Sequence, residues 1–137
     1  MSSVKSDIKI KPQSEFPYLD DYKKVFPTTD DTIFVFYDTI YTNKDLTDYY
    51  DVLAHELKHL QRQGKIGAAK WIKQYIENSK FRLEEELIAY RHQLKVVKQT
   101  GDRQELSHIY IECCQNISSD LYGNMITYPE ALKKLKP

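Results

Sequence analysis

Tyr49-Tyr50-Asp51-Val52-Leu53-Ala54-His55-Glu56-Leu57-Lys58-His59-Leu60 is the stretch on which the reading of this chain turns. Tyr49, Leu53, Leu57 and Leu60 recur at three- and four-residue spacing, which predicts one apolar face of a helix. On that helix His55 and His59 lie one turn apart and point the same way, so two imidazoles can grip one metal ion. Glu56 falls within the span of the apolar stripe and the histidines fall just beside it. The group therefore borders the core, enclosed on one side and open on the other, where Glu56 can take a proton from a metal-activated water. The plain alternative is a pair of helix histidines with ordinary hydrogen bonds, because HExxH also arises by chance.

Upstream, Thr32 to Tyr41 is dense in β-branched and aromatic residues and predicts one strand, bent near Asp38. Residues 1–30 read as an irregular N-terminal segment, since Pro12, Pro17 and Pro27 interrupt it and Thr28-Thr29-Asp30-Asp31 reads as a turn. After a loop at Asn43-Lys44-Asp45, Thr47 or Asp48 is expected to cap the motif helix, which runs to about Gln63 and ends at Gly64. Further helices are expected over Ile66 to Glu77, Lys80 to Gln99 (stopping at Gly101) and Asp102 to Ser118. Thr127 caps a short last one with Pro129 in its first turn. The expectation is a mainly α, α+β domain over residues 31–137, with four to five helices and one strand or a small sheet.

The chain of 137 residues carries 20 basic and 20 acidic side chains, so it offers no electrostatic case for nucleic acid or an anionic membrane. No window approaches the length of a membrane span, and Met1 to Lys11 has no apolar run like that of a signal peptide. Cys113 and Cys114 are adjacent, which suits neither an ordinary disulfide nor a zinc site. They read as reduced cysteines of a cytoplasmic protein, with Cys113 the better core candidate.

A catalytic zinc takes three protein ligands and leaves one position open. His92 and His108 project opposite the apolar stripes of their helices and read as surface residues. In Glu84-Glu85-Glu86, the first two project towards solvent or the flank, whereas Glu86 projects into the apolar face near Tyr90 and Val97. An ionised carboxylate is costly there unless paired or metal-bound. A salt bridge to Arg82, Arg91 or a lysine would serve, but with HExxH nearby the metal is the favoured partner.

HExxH followed on a later helix by Glu86-Leu87-Ile88-Ala89-Tyr90 resembles the gluzincin metallopeptidases, in which the first Glu of this second element is the third zinc ligand. More narrowly, the stretch from Ile33 to Glu130 resembles small single-domain metallopeptidases encoded by tailed bacteriophages. The matching pieces are Phe36 to Tyr41, His55 to Gln61, Trp71 to Tyr75, Phe81 to Leu83, Glu86 to Arg91 with Gln93, and Leu121 to Ile126. The resemblance implies a zincin-like core with Zn²⁺ held by His55, His59 and Glu86, Glu56 as general base, and a peptide or protein substrate. It places the protein in the host cytoplasm or with the virion. Two departures stand out. Tyr90 occupies the place where many gluzincins have the Asp that supports a histidine ligand, and no second domain is recognisable to wall off a cleft. Edge pairing of the Thr32–Tyr41 strand with an extended substrate is one expected binding mode. The oxyanion donor is left open among Tyr37, Tyr41, Tyr90, Tyr122 and Arg91, and so is the oligomeric state. A catalytically silent zinc-stabilised module, acting in a virion or inhibiting a host protein, is the competing function. A metal-free helical protein with a chance motif is the third.

Overall fold

The computed structural model of the chain describes residues 8–137. The architecture is α+β and mainly helical. It comprises β1 (Lys9–Lys11), α1 (Leu19–Lys23), β2 (Phe34–Phe36), β3 (Thr39–Tyr41), α2 (Tyr50–Ile66), α3 (Ala68–Glu77), α4 (Ser79–Thr100), α5 (Arg103–Ile117) and α6 (Tyr128–Lys134). Short 3₁₀ turns lie at Gln13–Glu15 and Asp120–Tyr122. The sheet has the order β1-β3-β2, with β1 parallel and β2 antiparallel to β3. Among the described residues no helix is long and apolar enough to cross a membrane. The signal-peptide reading from Met1 falls largely outside the described residues.

The segment read as one bent strand is a hairpin. Phe36 pairs with Thr39, so the chain reverses at Tyr37-Asp38. Tyr37 sits at φ 62, in the left-handed region that bulky residues rarely adopt. Its ring is 70% exposed, free of the packing that would force it into a strand. The Asp38 carbonyl accepts from the Lys9 amide at 2.8 Å, which ties the turn to β1. The segment read as irregular thus supplies an edge strand, a 3₁₀ turn and α1, and Phe16 packs at 3% exposure with Phe34, Tyr41, Trp71, Ile72 and Tyr75.

Helix ends follow local chemistry. Asn78 and Asp102 accept from the amides of Phe81 and Glu105 at 3.1 and 2.8 Å, capping α4 and α5. Thr127 and Glu130 form a reciprocal capping box for α6, with Pro129 in its first turn. Two expectations for α2 are corrected. Tyr49 occupies the N-cap without a side-chain bond, because Asp45 holds Thr47 in a tight turn ahead of the helix. Gly64 lies inside α2, which ends at Gly67 (φ 105).

α2 and α4 pack as the central helix pair. α5 and α6 cover one side of α4 through Leu94, Val97, Ile109, Cys113, Ile117, Ala131 and Leu135. The hairpin and α3 cover the other parts of α2. Ile40, Leu94, Val97 and Ile117 are at most 1% exposed; each such side chain contributes about 1.5–3 kcal/mol by leaving water. This packing fixes the helix pair that carries the motif residues.

Candidate metal centre

His55, Glu56 and His59 are all buried on α2, and their potential ligand atoms lie within 4.8 Å of one another. Glu86, on α4, completes the group. One of its oxygens lies 3.0 Å from His55 Nε2 and the other 3.0 Å from His59 Nε2. Tyr75 of α3 donates its hydroxyl to the second oxygen. Three helices therefore converge on one carboxylate. The imidazole–carboxylate bonds hold Glu86 well below the usual carboxylate range, against the opposing effect of its burial. The neighbouring carboxyl behaves oppositely. Burial pushes Glu56 up to about 7; the His55 imidazole opposes this and the Glu86 charge adds to it.

The donor types of His55, Glu56 and His59, within 4.8 Å of one another, are ones that could hold a metal ion, and Glu86 touches both histidines. Ligand bonds of about 2.0–2.1 Å at tetrahedral angles set donor atoms roughly 3.3 Å apart. The two 3.0 Å separations belong to different Glu86 oxygens, one against each histidine, so the carboxylate would have to turn one oxygen towards both or bridge to meet a single cation. Glu86 stays ionised, as a ligand must, whereas Glu56 is poised near neutrality, as a base must be.

The histidines are held differently. His55 Nδ1 lies 2.9 Å from Gln93 Oε1, and the Gln93 amide nitrogen donates to Asp51 at 2.8 Å. His59 Nδ1 is buried with no hydrogen-bond partner among the described residues. Its ring is instead set edge-on against Trp71 and Tyr75, with centroids at 5.3 and 6.3 Å.

The group forms the floor of a cleft of about 380 Å³. Tyr22, Phe26, Phe34, Trp71, Tyr75 and Tyr122 wall it. Tyr22 comes from α1 and stacks on Tyr75 at 5.7 Å, so the N-terminal segment builds part of the wall. Gln13 pins the rim by donating to the carbonyls of Thr29 and Thr32 at 2.8 and 2.7 Å.

The expected edge of β2 is partly taken. The Gln63 side-chain amide donates to the Val35 carbonyl at 3.0 Å and accepts from the Tyr37 amide at 2.7 Å. This reproduces one peptide unit of an adjoining parallel strand. An extended substrate cannot pair at that position, because α2 already does.

Of the sequence-selected residues, His55, Glu56, His59 and Glu86 come together. His92 and His108 do not join them, and the His108 side chain is 74% exposed. Glu85, expected towards solvent or the flank, lies on the flank and is buried there. It is 2% exposed and accepts from Arg62 Nη2 at 2.8 Å and Trp71 Nε1 at 2.9 Å. Helical projection of α4 alone could not register those two partners on α2 and α3. Neither arginine considered for Glu86 pairs with it. Arg82 donates to the carbonyls of Tyr75 and Ile76 at the end of α3, and Arg91 donates to the Lys134 carbonyl. Trp71 and Tyr75, read as packing residues, also donate to the acidic pair. Asp51, Gln63 and Gln93 were not selected as site residues. Asp51 and Gln63 lie one turn before His55 and one turn after His59, which is the signal that could have found them. Comparison with family models, with curated proteins and with solved structures finds no match in any of the three, so the functional reading rests on geometry and motif.

Proposed function

We propose that this protein is a metal-dependent peptidase that holds Zn²⁺ with His55, His59 and Glu86 and uses Glu56 as its general base. The observation that carries the reading is the contrast between two buried carboxylates on one cleft floor. Glu86, from α4, touches both histidines of α2 at 3.0 Å, whereas Glu56 lies buried beside them without an ion-pair partner among the described residues. The similarity of HExxH and Glu86-Leu87-Ile88-Ala89 to the gluzincin arrangement supports the same assignment.

A cation held by His55, His59 and Glu86 would supply Lewis acidity towards water and a substrate carbonyl. Glu56 takes the proton of the attacking water on its carboxylate and passes it to the leaving amine. The aromatic walls exclude solvent from this transfer and accept apolar side chains of the substrate. Tyr75 is committed to Glu86, and Tyr90 and Tyr122 share one hydroxyl–hydroxyl bond at 3.1 Å, so Tyr22 and the accepting member of that pair are the hydroxyls left to donate to the substrate. Gln63 confines strand-like pairing to the part of β2 ahead of Phe36.

The test is metal content followed by turnover. Purified protein is expected to hold one equivalent of zinc, and Glu86→Ala is expected to lose it while retaining its helical circular dichroism. The zinc-loaded wild type is expected to cleave members of a broad peptide library, and a chelator to stop it. Absence of zinc binding would overturn the metal assignment. Stoichiometric zinc with no cleavage of any peptide would overturn the peptidase and leave a zinc-stabilised binding module.

A further inference from the structure

We infer that Gln93 and Asp51 are the positioning residues that select the ligand nitrogen of His55. The inference rests on the proposed metal centre and adds the residues that orient it. Asp51 lies one helical turn before His55 on α2, and Gln93 reaches between them from α4. The chain of bonds thus leaves α2, crosses to α4 and returns to α2.

Its polarity is fixed by its outer end. A carboxylate only accepts, so Asp51 must receive the Gln93 amide NH₂, at 2.8 Å. That turns the amide oxygen towards His55, 2.9 Å from Nδ1. An amide oxygen also only accepts, so Nδ1 donates to it, and Nε2 is the nitrogen that would turn its lone pair to a cation placed between it and Glu86. Nε2 is the atom 3.0 Å from Glu86. Gln93 is 6% exposed, so water does not readily replace it. Tyr90 packs its ring edge-on against His55 at 4.4 Å and pairs its hydroxyl with that of Tyr122, so it gives His55 no hydrogen bond. Among the described residues His59 Nδ1 has no hydrogen-bond partner. The two histidines are therefore unequal, one set by hydrogen bonds and the other by aromatic packing.

The experiment is Zn²⁺ affinity by competition with a chromophoric chelator, with the absorption spectrum of the Co²⁺ form as a second readout. Circular dichroism of each metal-free variant checks the fold. Gln93→Met keeps the side-chain length and removes both bonds; it should weaken Zn²⁺ binding about 10–100-fold, the range for loss of such a partner, and shift the Co²⁺ bands. Asp51→Asn frees the amide to turn and should give a smaller loss. The double variant Asp51→Asn/Gln93→Glu exchanges the ends of the chain: the new carboxylate accepts from both His55 and the new amide. It should restore affinity to within a few-fold of wild type, which a role in helix packing alone would not require. Unchanged affinity and spectrum in folded Gln93→Met would overturn the inference, as would failure of the folded double variant to recover affinity. A wild type that binds no zinc would overturn the metal centre itself and this inference with it.

Discussion

Two carboxyl groups a few ångströms from the same histidines differ in state because their partners differ. Glu86 touches both imidazoles and accepts from Tyr75, so its charge is held in place. Glu56 meets burial first, and its carboxyl is pushed up to about 7. Under the proposed mechanism Glu56→Gln should keep Zn²⁺ and the fold and lower turnover by about 10²–10⁴, because an amide cannot accept the proton. Equal cleavage rates for the variant and wild type would remove Glu56 from the mechanism. At this scale much of the candidate site was legible. HExxH spacing places His55 and His59 on one face, and the helical period singled out Glu86 from its acidic neighbours. Gln93, Gln63 and Asp51 were not legible, because neutral amides and a lone Asp gain their roles only when α4 and β2 are docked on α2. Glu85 was left between solvent and the flank for the same reason: its charge is matched across helices by Arg62, not along its own helix.

Each long helix was visible from its apolar period, and α4, α5 and α6 from a cap as well, whereas both caps expected for α2 fell elsewhere. Asn78 and Asp102 sit at N-caps, Gly101 at a C-cap, and Thr127 with Glu130 forms a capping box. The hairpin was less visible, since Tyr37-Asp38 lacks the Gly or Asn that usually announces a two-residue reversal. Tyr37 reaches a positive φ where its neighbours, Gln63 and the β1 segment, over-determine the turn. The end of α2 was misplaced because two glycines lie three residues apart and only the second adopts a positive φ. That distinction is measurable. A Cβ at Gly64 would meet nothing within 4 Å, and the residue is helical. Gly64→Ala should therefore stabilise the protein by about 0.5–1 kcal/mol, through a lower helix-forming entropy cost. Gly67 also has room, with its nearest contact at 3.9 Å, but its φ of 105 strains any side chain. Gly67→Ala should destabilise. Urea midpoints of the two variants on either side of wild type confirm the helix end, and a reversed order would contradict it.

The whole molecule is held by packing on both flanks of the α2–α4 pair, and the paired cysteines report on one flank. Cys113 and Cys114 lie on α5 at 2% and 0% exposure, inside the cluster shared with α4 and α6. The sequence favoured Cys113 alone, since adjacent helical residues point apart; α6 closes over the second direction. Burial pushes the Cys114 thiol up to about 11, and the Cys113 thiol is raised further, again chiefly by burial. Neutral thiols suit the folded state, so their contribution is intact below the ordinary thiol pKa, about 8.5. As pH rises past that value the unfolded chain ionises while the folded chain does not. Stability should fall with pH from there, and for Cys114 the loss is complete above about 11. The same burial protects the thiols from reagents, because the thiolate is the reacting species. At pH 8 a disulfide reagent should label both cysteines only through opening of the α4–α5–α6 flank. Both sites should then react with one shared rate that increases with urea. Replacing both cysteines with serine should remove the alkaline slope they contribute but lower stability at neutral pH, since hydroxyls would be buried in an apolar cluster. Rapid labelling of either thiol in the native protein, at the speed of a free cysteine, would mean that α6 does not close this flank in solution.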